Sequence, residues 1–331
     1  MFTLTLIDLV DLASVQLPLL PNEEYLMISM NARQSFQKAG GFELTSTARE
    51  LTPSATLAIN EAVAEKQGRG ESIIHLGFGQ SSMPMHPRLL DALARASNET
   101  GYAPVMGLPA LRSAVSSYLN RTRGMRCSAQ EVAIGPGSKA LIYALLQLLD
   151  GDLILPRPSW VSYLPQARLA GKQVVWVETS PDDRHRITPE ALDEALERGY
   201  LRKANPRILL INSPSNPTGC MYDEFEVRAI SQWAEAHQIT LISDEIYAEV
   251  AHGSKRHVSP AKFYPEGCIV TGGMSKAFSA GGWRIGYAVL PATDFGRRLG
   301  KALEGLASEV WSCVATPVQK AATLAYSDDL Y

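Results

Sequence analysis

The sequence predicts a three-layer α/β/α sandwich built on a mainly parallel sheet. Short, continuous apolar runs alternate with stretches in which apolar residues recur at helical spacing. Parallel strands give such continuous runs because helices cover both of their faces. The pattern extends through the 331 residues without an internal repeat or a low-complexity linker. We therefore expect one large α/β domain rather than a repeat array or a helical bundle.

The individual elements follow in order. Thr52 is predicted to cap a helix that has Pro53 in its first turn and runs to Lys66. Apolar residues at helical spacing predict further helices over 89–96 and 111–118. Strands are predicted at 131–134, 152–155, 173–177, 207–211, 239–243 and 268–270. Three helices are predicted between these strands. One spans 141–149, one is capped by Thr188 and runs to 196, and one begins at the capping box of Asp223 and Glu226.

Composition excludes several classes of function. The apolar fraction is 46%, the charged fraction is 20% and the net charge is −3, with no basic block, so we expect no nucleic-acid partner. Four dispersed cysteines lack metal spacing and the six histidines show no paired helical spacing, which predicts reduced thiols, no metal site and a cytoplasmic protein. Residues 1–20 are apolar, but Asp8, Asp11 and Pro18 argue against a spanning helix, and the absence of a basic residue before Arg33 argues against a targeting signal.

Lys276 lies in the segment that points most directly to chemistry. It sits on a loop rich in glycine and serine after the predicted strand 268–270, with Ser275 before it and Arg284 eight positions after it. A lysine amine can form a Schiff base with an aldehyde, while a hydroxyl and an arginine can hold a phosphate. This combination is typical of pyridoxal phosphate, whose aldehyde is carried on a lysine.

Two more polar loops follow predicted strands. Asp244 and Tyr247 come at the carboxyl end of strand 239–243, the end at which open α/β sheets bind ligands. A carboxylate there can keep a pyridine nitrogen protonated, and a phenol can donate to the ring oxygen. After strand 207–211, Asn216 precedes Pro217, which favours an extended backbone from which the amide can project. Each loop alone also fits a helix cap or an ordinary turn.

Two segments nearer the amino terminus supply an anion site and an aromatic ring. Gly137, Ser138 and Lys139 follow strand 131–134 and open a helix, where free backbone N–H groups and the macrodipole favour an anion. Trp160 follows strand 152–155, and indole faces stack on flat ring systems. Taken singly, the first also fits any strand-to-helix junction and the second fits core packing.

The order of these loops resembles that of the class I/II aminotransferases, pyridoxal phosphate enzymes of fold type I, from about Leu51 to the C-terminus. The resemblance implies a seven-stranded sheet in the large domain and a role for each candidate. Asn216 and Tyr247 would bind the ring oxygen, Asp244 the ring nitrogen and Lys276 the aldehyde. Trp160 would cover the ring, and the phosphate would be held by Gly137, Ser138, Lys139, Ser275 and Arg284.

The resemblance also implies a second subunit and a substrate contact. Tyr102, on the loop over 101–109, would reach the phosphate in the neighbouring subunit, so a homodimer is expected. The amide of Gly79 would meet the substrate carboxylate. The expected division is an extension of unknown role over 1–44, an arm with part of the small domain over 45–98, the large cofactor-binding domain over 99–310, and the start of a truncated C-terminal small domain over 311–331.

The activity implied is transfer of an amino group between an L-amino acid and a 2-keto acid. Released from its Schiff base, the Lys276 amine would move the proton between the substrate Cα and the cofactor carbon C4′. The same fold also runs lyase and decarboxylase chemistry, which fold analogy does not separate. The family binds the substrate carboxylate with an arginine in the C-terminal small domain, and no arginine follows Arg298. A truncated, non-catalytic protein is therefore the other alternative.

Overall fold

The structure is a computed structural model that describes residues 43–50, 55–74, 79–81, 83–253 and 256–327. The extension predicted over 1–44 lies almost wholly outside the described residues, and Thr52 and Pro53 lie outside them as well. The chain divides into two compact units, residues 1–52 and residues 53–331. In the first unit the structure describes one short helix, α1 (Ser46–Glu50).

The second unit contains a seven-stranded sheet. Its strands are β1 (Val132–Gly135), β2 (Asp152–Arg157), β3 (Val174–Glu178), β4 (Pro206–Asn212), β5 (Thr240–Asp244), β6 (Cys268–Gly273) and β7 (Gly286–Val289). The strand order is β1-β7-β6-β5-β4-β2-β3. Neighbouring strands from β6 to β3 pair in parallel, whereas β7 runs antiparallel to both β1 and β6. The predicted mainly parallel sheet is confirmed, and β1 points the same way as β4, β5 and β6.

Helices lie before, between and after the strands. They are α2 (Ala55–Gly68), α3 (Pro87–Ala96), α4 (Pro109–Arg123), α5 (Ser138–Leu148), α6 (Tyr163–Leu169), α7 (Pro189–Leu201), α8 (Glu224–Ala236), α9 (Asp294–Val310) and α10 (Thr316–Ala325). Two of the predicted caps are confirmed. The Thr188 hydroxyl accepts a hydrogen bond from the Ala191 amide, and Asp223 and Glu226 form the reciprocal capping box.

The strands bury both faces because successive side chains point to opposite sides. Leu209 and Ile211 of β4 belong to a core that includes buried residues of α4, α7, α8 and α10. Ile208 and Leu210 belong to a second core that includes buried residues of α5, α6 and α9. The predicted α/β/α sandwich is therefore confirmed: the continuous apolar runs mark strands with a helical layer on either side.

Helices α3, α4 and α10 pack together on the first of these cores. Leu89 of α3, Tyr118 of α4 and Ala322 of α10 are all buried within it. The ring of Tyr118 also meets that of Tyr326 edge to face, with centroids 5.2 Å apart. Residues just after α9 are thus part of the same packed layer as residues that precede the sheet.

The described residues offer neither a membrane-spanning helix nor a metal-binding cluster. None of the helices in this part of the chain combines the length and the apolar character needed to cross a membrane. Among the same residues, no group of three or more His, Cys, Asp and Glu side chains is arranged to hold a metal ion.

Candidate active site

Three strands end side by side in a row of polar residues. Asn212 of β4, Asp244 of β5 and Thr271 of β6 are register partners. The side-chain amide of Asn212 donates a 2.8 Å hydrogen bond to the backbone oxygen of Asp244, and the Thr271 hydroxyl lies 3.3 Å from Asp244 Oδ1. The carboxyl edge of the sheet therefore presents one buried carboxylate that neighbouring strands support.

Asp244 is a buried acid with a perturbed pKa. Its residue surface is 2% exposed, and Oδ2 accepts a 2.7 Å hydrogen bond from the Tyr163 hydroxyl on α6. Burial raises the pKa of Asp244 to about 6, although hydrogen bonds from Tyr163, the Ile246 amide and Thr271 pull it down, and the charge of Glu245 adds to the rise. A cation placed against the Asp244 carboxylate would stabilise its ionised form.

Asn216 and Tyr247 meet at the next position along this edge. Asn216 Nδ2 lies 3.2 Å from the Tyr247 hydroxyl oxygen. The Asn216 backbone amide donates a 2.7 Å hydrogen bond to the side-chain oxygen of Asn212, which fixes the loop to the end of β4. Burial raises the pKa of Tyr247, and the Asn216 hydrogen bond opposes the rise. An amide and a neutral phenol thus stand together beside Asp244.

Lys276, on the loop after β6, borders the same site, and Asp244, Tyr247, Lys276 and Arg284 together outline a cleft at the carboxyl edge of the sheet. The Lys276 amine donates a hydrogen bond to the backbone oxygen of Gly79 and lies 5.6 Å from the centre of the Tyr247 ring. Burial lowers the pKa of Lys276, and the positive charge of Arg284 lowers it further. A larger share of this amine is therefore neutral, and nucleophilic, than for an ordinary lysine.

Arg284 and the amino terminus of α5 form the cationic end of the cleft. Arg284 has φ of +51°, an uncommon conformation for a residue with a side chain, and its guanidinium bonds the oxygens of Gly281 at 2.8 Å and Pro136 at 3.2 Å. Gly137, at φ +91°, lies so close that an added Cβ would stand 2.4 Å from Arg284 Nη2. Ser138 begins α5.

Lys139 and Trp160 lie beside this cationic end. The Lys139 amine is 5.0 Å from the centre of the Trp160 ring, and burial together with the charge of Arg284 lowers its pKa. Trp160 meets Tyr163 edge to face, with ring centroids 5.1 Å apart. The indole thus stands next to the phenol that donates to Asp244, and it links the cationic and the acidic ends of the cleft.

Two predicted residues stand apart from these contacts. Ser275, partly buried, directly precedes Lys276 on the loop after β6, and its backbone oxygen would be 3.7 Å from a Cβ added at Gly281. Tyr102 is 93% exposed. Its loop is fixed at Gly101, whose oxygen accepts a 2.6 Å hydrogen bond from Thr316. Within one chain, the side chain of Tyr102 is therefore almost fully open to solvent.

Three polar residues of this edge had no role in the sequence interpretation: Tyr163, Thr271 and Asn212. Each carries a detectable signal. Asn212 is the last residue of β4, Thr271 directly follows the apolar residues Cys268–Val270 of β6, and Tyr163 follows Trp160 by three positions. Their partners lie on other elements, which is why no local pattern assigned them.

The donor set fits pyridoxal phosphate. Arg284, Lys139 and the open end of α5 attract an anion, and Asp244 attracts a cation at a buried point. The partly neutral amine of Lys276 lies in the same cleft. A flat molecule with a phosphate, an aldehyde and a basic ring nitrogen matches all three features.

Comparison with known proteins agrees with this chemistry. The family model for aminotransferase class I and II matches residues 71–331. The aspartate aminotransferase of Geobacillus stearothermophilus is 39% identical over 293 residues, which are 86% of this chain and 72% of that protein. The aspartate aminotransferase of Bacillus subtilis is 34% identical over the same shares of the two chains.

Solved structures give the same result for the fold. The aspartate aminotransferase of Thermus thermophilus with maleate aligns with a TM-score of 0.80 at 32% identity, covering 87% of this chain and 74% of that one. The aspartate aminotransferase of Rhizobium meliloti aligns with a TM-score of 0.77 at 28% identity, covering 88% and 73%. The chain belongs to the class I and II aminotransferases, pyridoxal phosphate-dependent enzymes of fold type I.

Proposed function

We propose that the cleft at the carboxyl edge of the sheet binds pyridoxal phosphate and transfers amino groups between an L-amino acid and a 2-keto acid. The observation that carries the proposal is the polarity of the cleft. A buried acid, Asp244, stands at one end, the cations Arg284 and Lys139 stand at the other, and the Lys276 amine lies in the same cleft.

At the acidic end, the ionised Asp244 would hold a proton on the ring nitrogen. Its burial makes this pairing strong, because few water molecules compete for the carboxylate. The hydrogen bond from Tyr163 fixes the direction of the carboxylate. Asn216 and Tyr247, which touch each other, would bind the ring oxygen, and Trp160 would cover the ring face.

At the cationic end, the phosphate would be held by the amides of Gly137 and Ser138 and by the side chains of Ser138, Lys139, Ser275 and Arg284. Arg284 already lies against Pro136, at the entry to α5, so it needs no large movement to reach such a group. Burial lowers the pKa values of Lys139 and Lys276, and the charge of Arg284 lowers them further; a bound dianion would offset that positive charge.

When bound, pyridoxal phosphate supplies a protonated ring that withdraws electrons from an attached amino acid, so that the substrate Cα can lose a proton. Lys276 would accept that proton and return it, a role that its lowered pKa supports. Gly79, whose oxygen contacts the Lys276 amine, would offer its amide to the substrate carboxylate.

Several relatives are named aspartate aminotransferases, which supports aspartate as the amino donor. We also propose a cytoplasmic homodimer in which the exposed Tyr102 serves the phosphate of the neighbouring subunit. Within each chain, residues 99–310 would form the cofactor-binding domain, 45–98 an arm with part of a small domain, and 311–331 the start of the C-terminal small domain.

The test begins with the visible absorbance of the protein incubated with pyridoxal phosphate. Borohydride reduction and peptide mapping should place the label on Lys276, and Lys276→Ala should remove it. Lys262→Ala, which changes an exposed lysine, serves as control and should label as wild type does. Absence of label on Lys276 would contradict the cofactor assignment.

A second measurement separates transamination from lyase chemistry. Amino acids are added singly, aspartate first, and each is tested for loss of the visible absorbance with and without a 2-keto acid. Transamination predicts that a 2-keto acid is needed for continued turnover. Continued product formation without any keto acid would contradict the proposed reaction.

A further inference from the structure

A second buried charge cluster lies directly behind the acidic end of the cleft. Glu245 follows Asp244, and its side chain is fully buried. Its Oε2 accepts a 2.5 Å hydrogen bond from Arg123 Nη1 and lies 3.2 Å from His257 Nε2. Its Oε1 accepts from the hydroxyls of Ser259 at 2.6 Å and Ser243 at 3.1 Å.

The charges of this cluster are matched to one another. Burial alone would raise the pKa of Glu245, but the charges of His257 and Arg123 and the hydrogen bond from Ser259 lower it to about 2. Glu245 is therefore a fixed anion at neutral pH, whereas its neighbour Asp244 has a raised pKa. The pKa values of these adjacent carboxyls shift in opposite directions because only Glu245 has cationic partners inside the protein.

Arg123 holds both ends of the turn that carries Tyr247. It is the last residue of α4, and its Nη2 donates a 3.0 Å hydrogen bond to Glu249 Oε1. Glu245 and Glu249 flank Tyr247 by two residues on either side. The turn is closed between them by a 3.0 Å bond from the Ala248 amide to the Glu245 oxygen. One buried guanidinium, 5% exposed in its side chain, thus bridges the turn.

Removing one partner of this bridge should cost more than removing one partner of a surface pair. Arg123 and Glu245 are shielded from water, so their attraction is weakly screened, and the guanidinium meets two carboxylates in fixed directions. By contrast, Lys262 and Glu224 form a 2.9 Å pair in which both side chains are about half exposed. Such exposed pairs contribute little.

From these contacts we propose that Arg123, Glu245 and Glu249 are positioning residues that hold the phenol of Tyr247 in place for the cofactor. The inference rests on the proposed function, because it assumes that Tyr247 meets the cofactor ring oxygen. It adds a role for residues that contact neither cofactor nor substrate. Arg123 fixes Glu245 and Glu249 at the two ends of one turn, and Tyr247, at the centre of that turn, faces the cleft.

The test is a double-mutant cycle between Glu249 and Tyr247, with pyridoxal phosphate as the probe. Glu249→Ala removes one of the two carboxylates that Arg123 holds and leaves the buried Glu245 pair intact. We expect about fivefold weaker cofactor binding and a shift in the pH midpoint of the bound cofactor's visible spectrum. In a Tyr247→Phe background, the same change should alter affinity by less than about twofold.

Two further variants complete the experiment. Glu224→Ala removes a surface pair of similar length and should leave the affinity and the spectral midpoint as in wild type. Glu245→Gln should exceed Glu249→Ala in effect, because it loses the partner of both Arg123 and His257. Thermal unfolding of each apoprotein measures how much of the change is loss of stability.

The outcomes separate the two proposals. If wild type develops no visible band with pyridoxal phosphate, the proposed function and this inference both fail. If wild type binds the cofactor but Glu249→Ala keeps its affinity and spectral midpoint, the inference alone fails. It fails also if Glu249→Ala has the same effect with and without the Tyr247 hydroxyl, since the cluster would then act only on stability.

Discussion

The Tyr163 hydroxyl and the Asp244 carboxylate form a 2.7 Å hydrogen bond between two buried groups. The pair joins α6 to the end of β5 across 81 positions of sequence. Burial raises the pKa of Tyr163 well above its usual value, and the charge of Asp244 raises it further, so the phenol remains a donor. Asp244 therefore keeps an ionised form that burial alone would oppose.

Replacing Tyr163 by Phe should weaken cofactor binding. A hydrogen bond to a charged group is worth about 1.5–3 kcal/mol, so loss of the donor should raise the dissociation constant for pyridoxal phosphate about tenfold or more at pH 7. Absorbance titration measures it. Tyr222→Phe removes another buried phenol, 3.2 Å from the Ile187 amide, and should keep wild-type affinity. Equal affinity in all three proteins would refute the role of Tyr163.

Asp244→Asn should change how the stability of the apoprotein depends on pH. Because folding raises the pKa of Asp244 to about 6, proton binding by this carboxyl stabilises the folded state. The contribution is complete below about pH 4 and is lost as pH rises through 6. From this group the wild-type apoprotein should be about 1 kcal/mol more stable at pH 5 than at pH 8. Asp244→Asn should abolish that difference, become more stable than wild type at pH 8, and lose activity.

Urea unfolding at the two pH values measures the effect. Asp294→Asn removes an exposed carboxylate on α9 and should keep the wild-type difference. If Asp244→Asn retained the full difference, Asp244 would not be the group responsible.

Gly137→Ala should weaken phosphate recognition specifically. The added Cβ would stand 2.4 Å from Arg284 Nη2, so the guanidinium must move away from α5. The matched control is Gly124→Ala. It also carries a positive φ, +62°, but its Cβ meets nothing within 4 Å. Both variants should lose about 1 kcal/mol of stability from backbone strain, while only Gly137→Ala should lose affinity for the cofactor.

Pyridoxal without its phosphate provides the second measurement for this pair. Gly137→Ala should reduce binding of pyridoxal phosphate about tenfold, the effect of losing roughly one charge-assisted hydrogen bond, and change pyridoxal binding little. Equal losses for the two ligands would place the effect elsewhere than at the phosphate.

Arg284→Gln should raise the pKa of Lys276. Burial is the main reason for the lowered value, and the Arg284 charge is the second, so removing that charge restores part of the shift. The pH midpoint for labelling Lys276 with an amine-specific reagent in the apoprotein should therefore rise. Arg297→Gln, on the exposed face of α9, should leave the midpoint as in wild type. An unchanged midpoint in Arg284→Gln would show that burial alone sets the value.

The sequence predicted the parallel strands well because each carries a compact apolar run with polar or turn residues after it. Strand β4 has Ile208–Ile211 before Asn212, and β5 has Leu241 and Ile242 before Ser243 and Asp244, so both the strand and its polar end are visible locally. Strand β7 was not predicted. It has four residues, begins with a glycine and follows a loop rich in small residues. Its antiparallel direction is set by its neighbours β1 and β6, which no local pattern encodes.

The residues of the candidate site also fall into those that a local pattern predicts and those that it does not. Lys276, Asp244 and Asn216 were predicted because each lies at or after the end of a strand in a recognisable loop. Arg123 was not found, since it ends an ordinary amphipathic helix and meets Glu245 122 positions later. Residues that touch a ligand tend to share one edge of the sheet, whereas those that support them come from any packed element.

The pairing of β1 with β7 has a consequence for how the protein acquires its cleft. The first strand of the sheet is hydrogen-bonded to the last, and Lys276 meets Gly79 across 197 positions. Contacts of such high sequence separation form late, because the loop-closure entropy must be overcome first. On a ribosome, β1 would stay without its sheet partner until β7 had emerged.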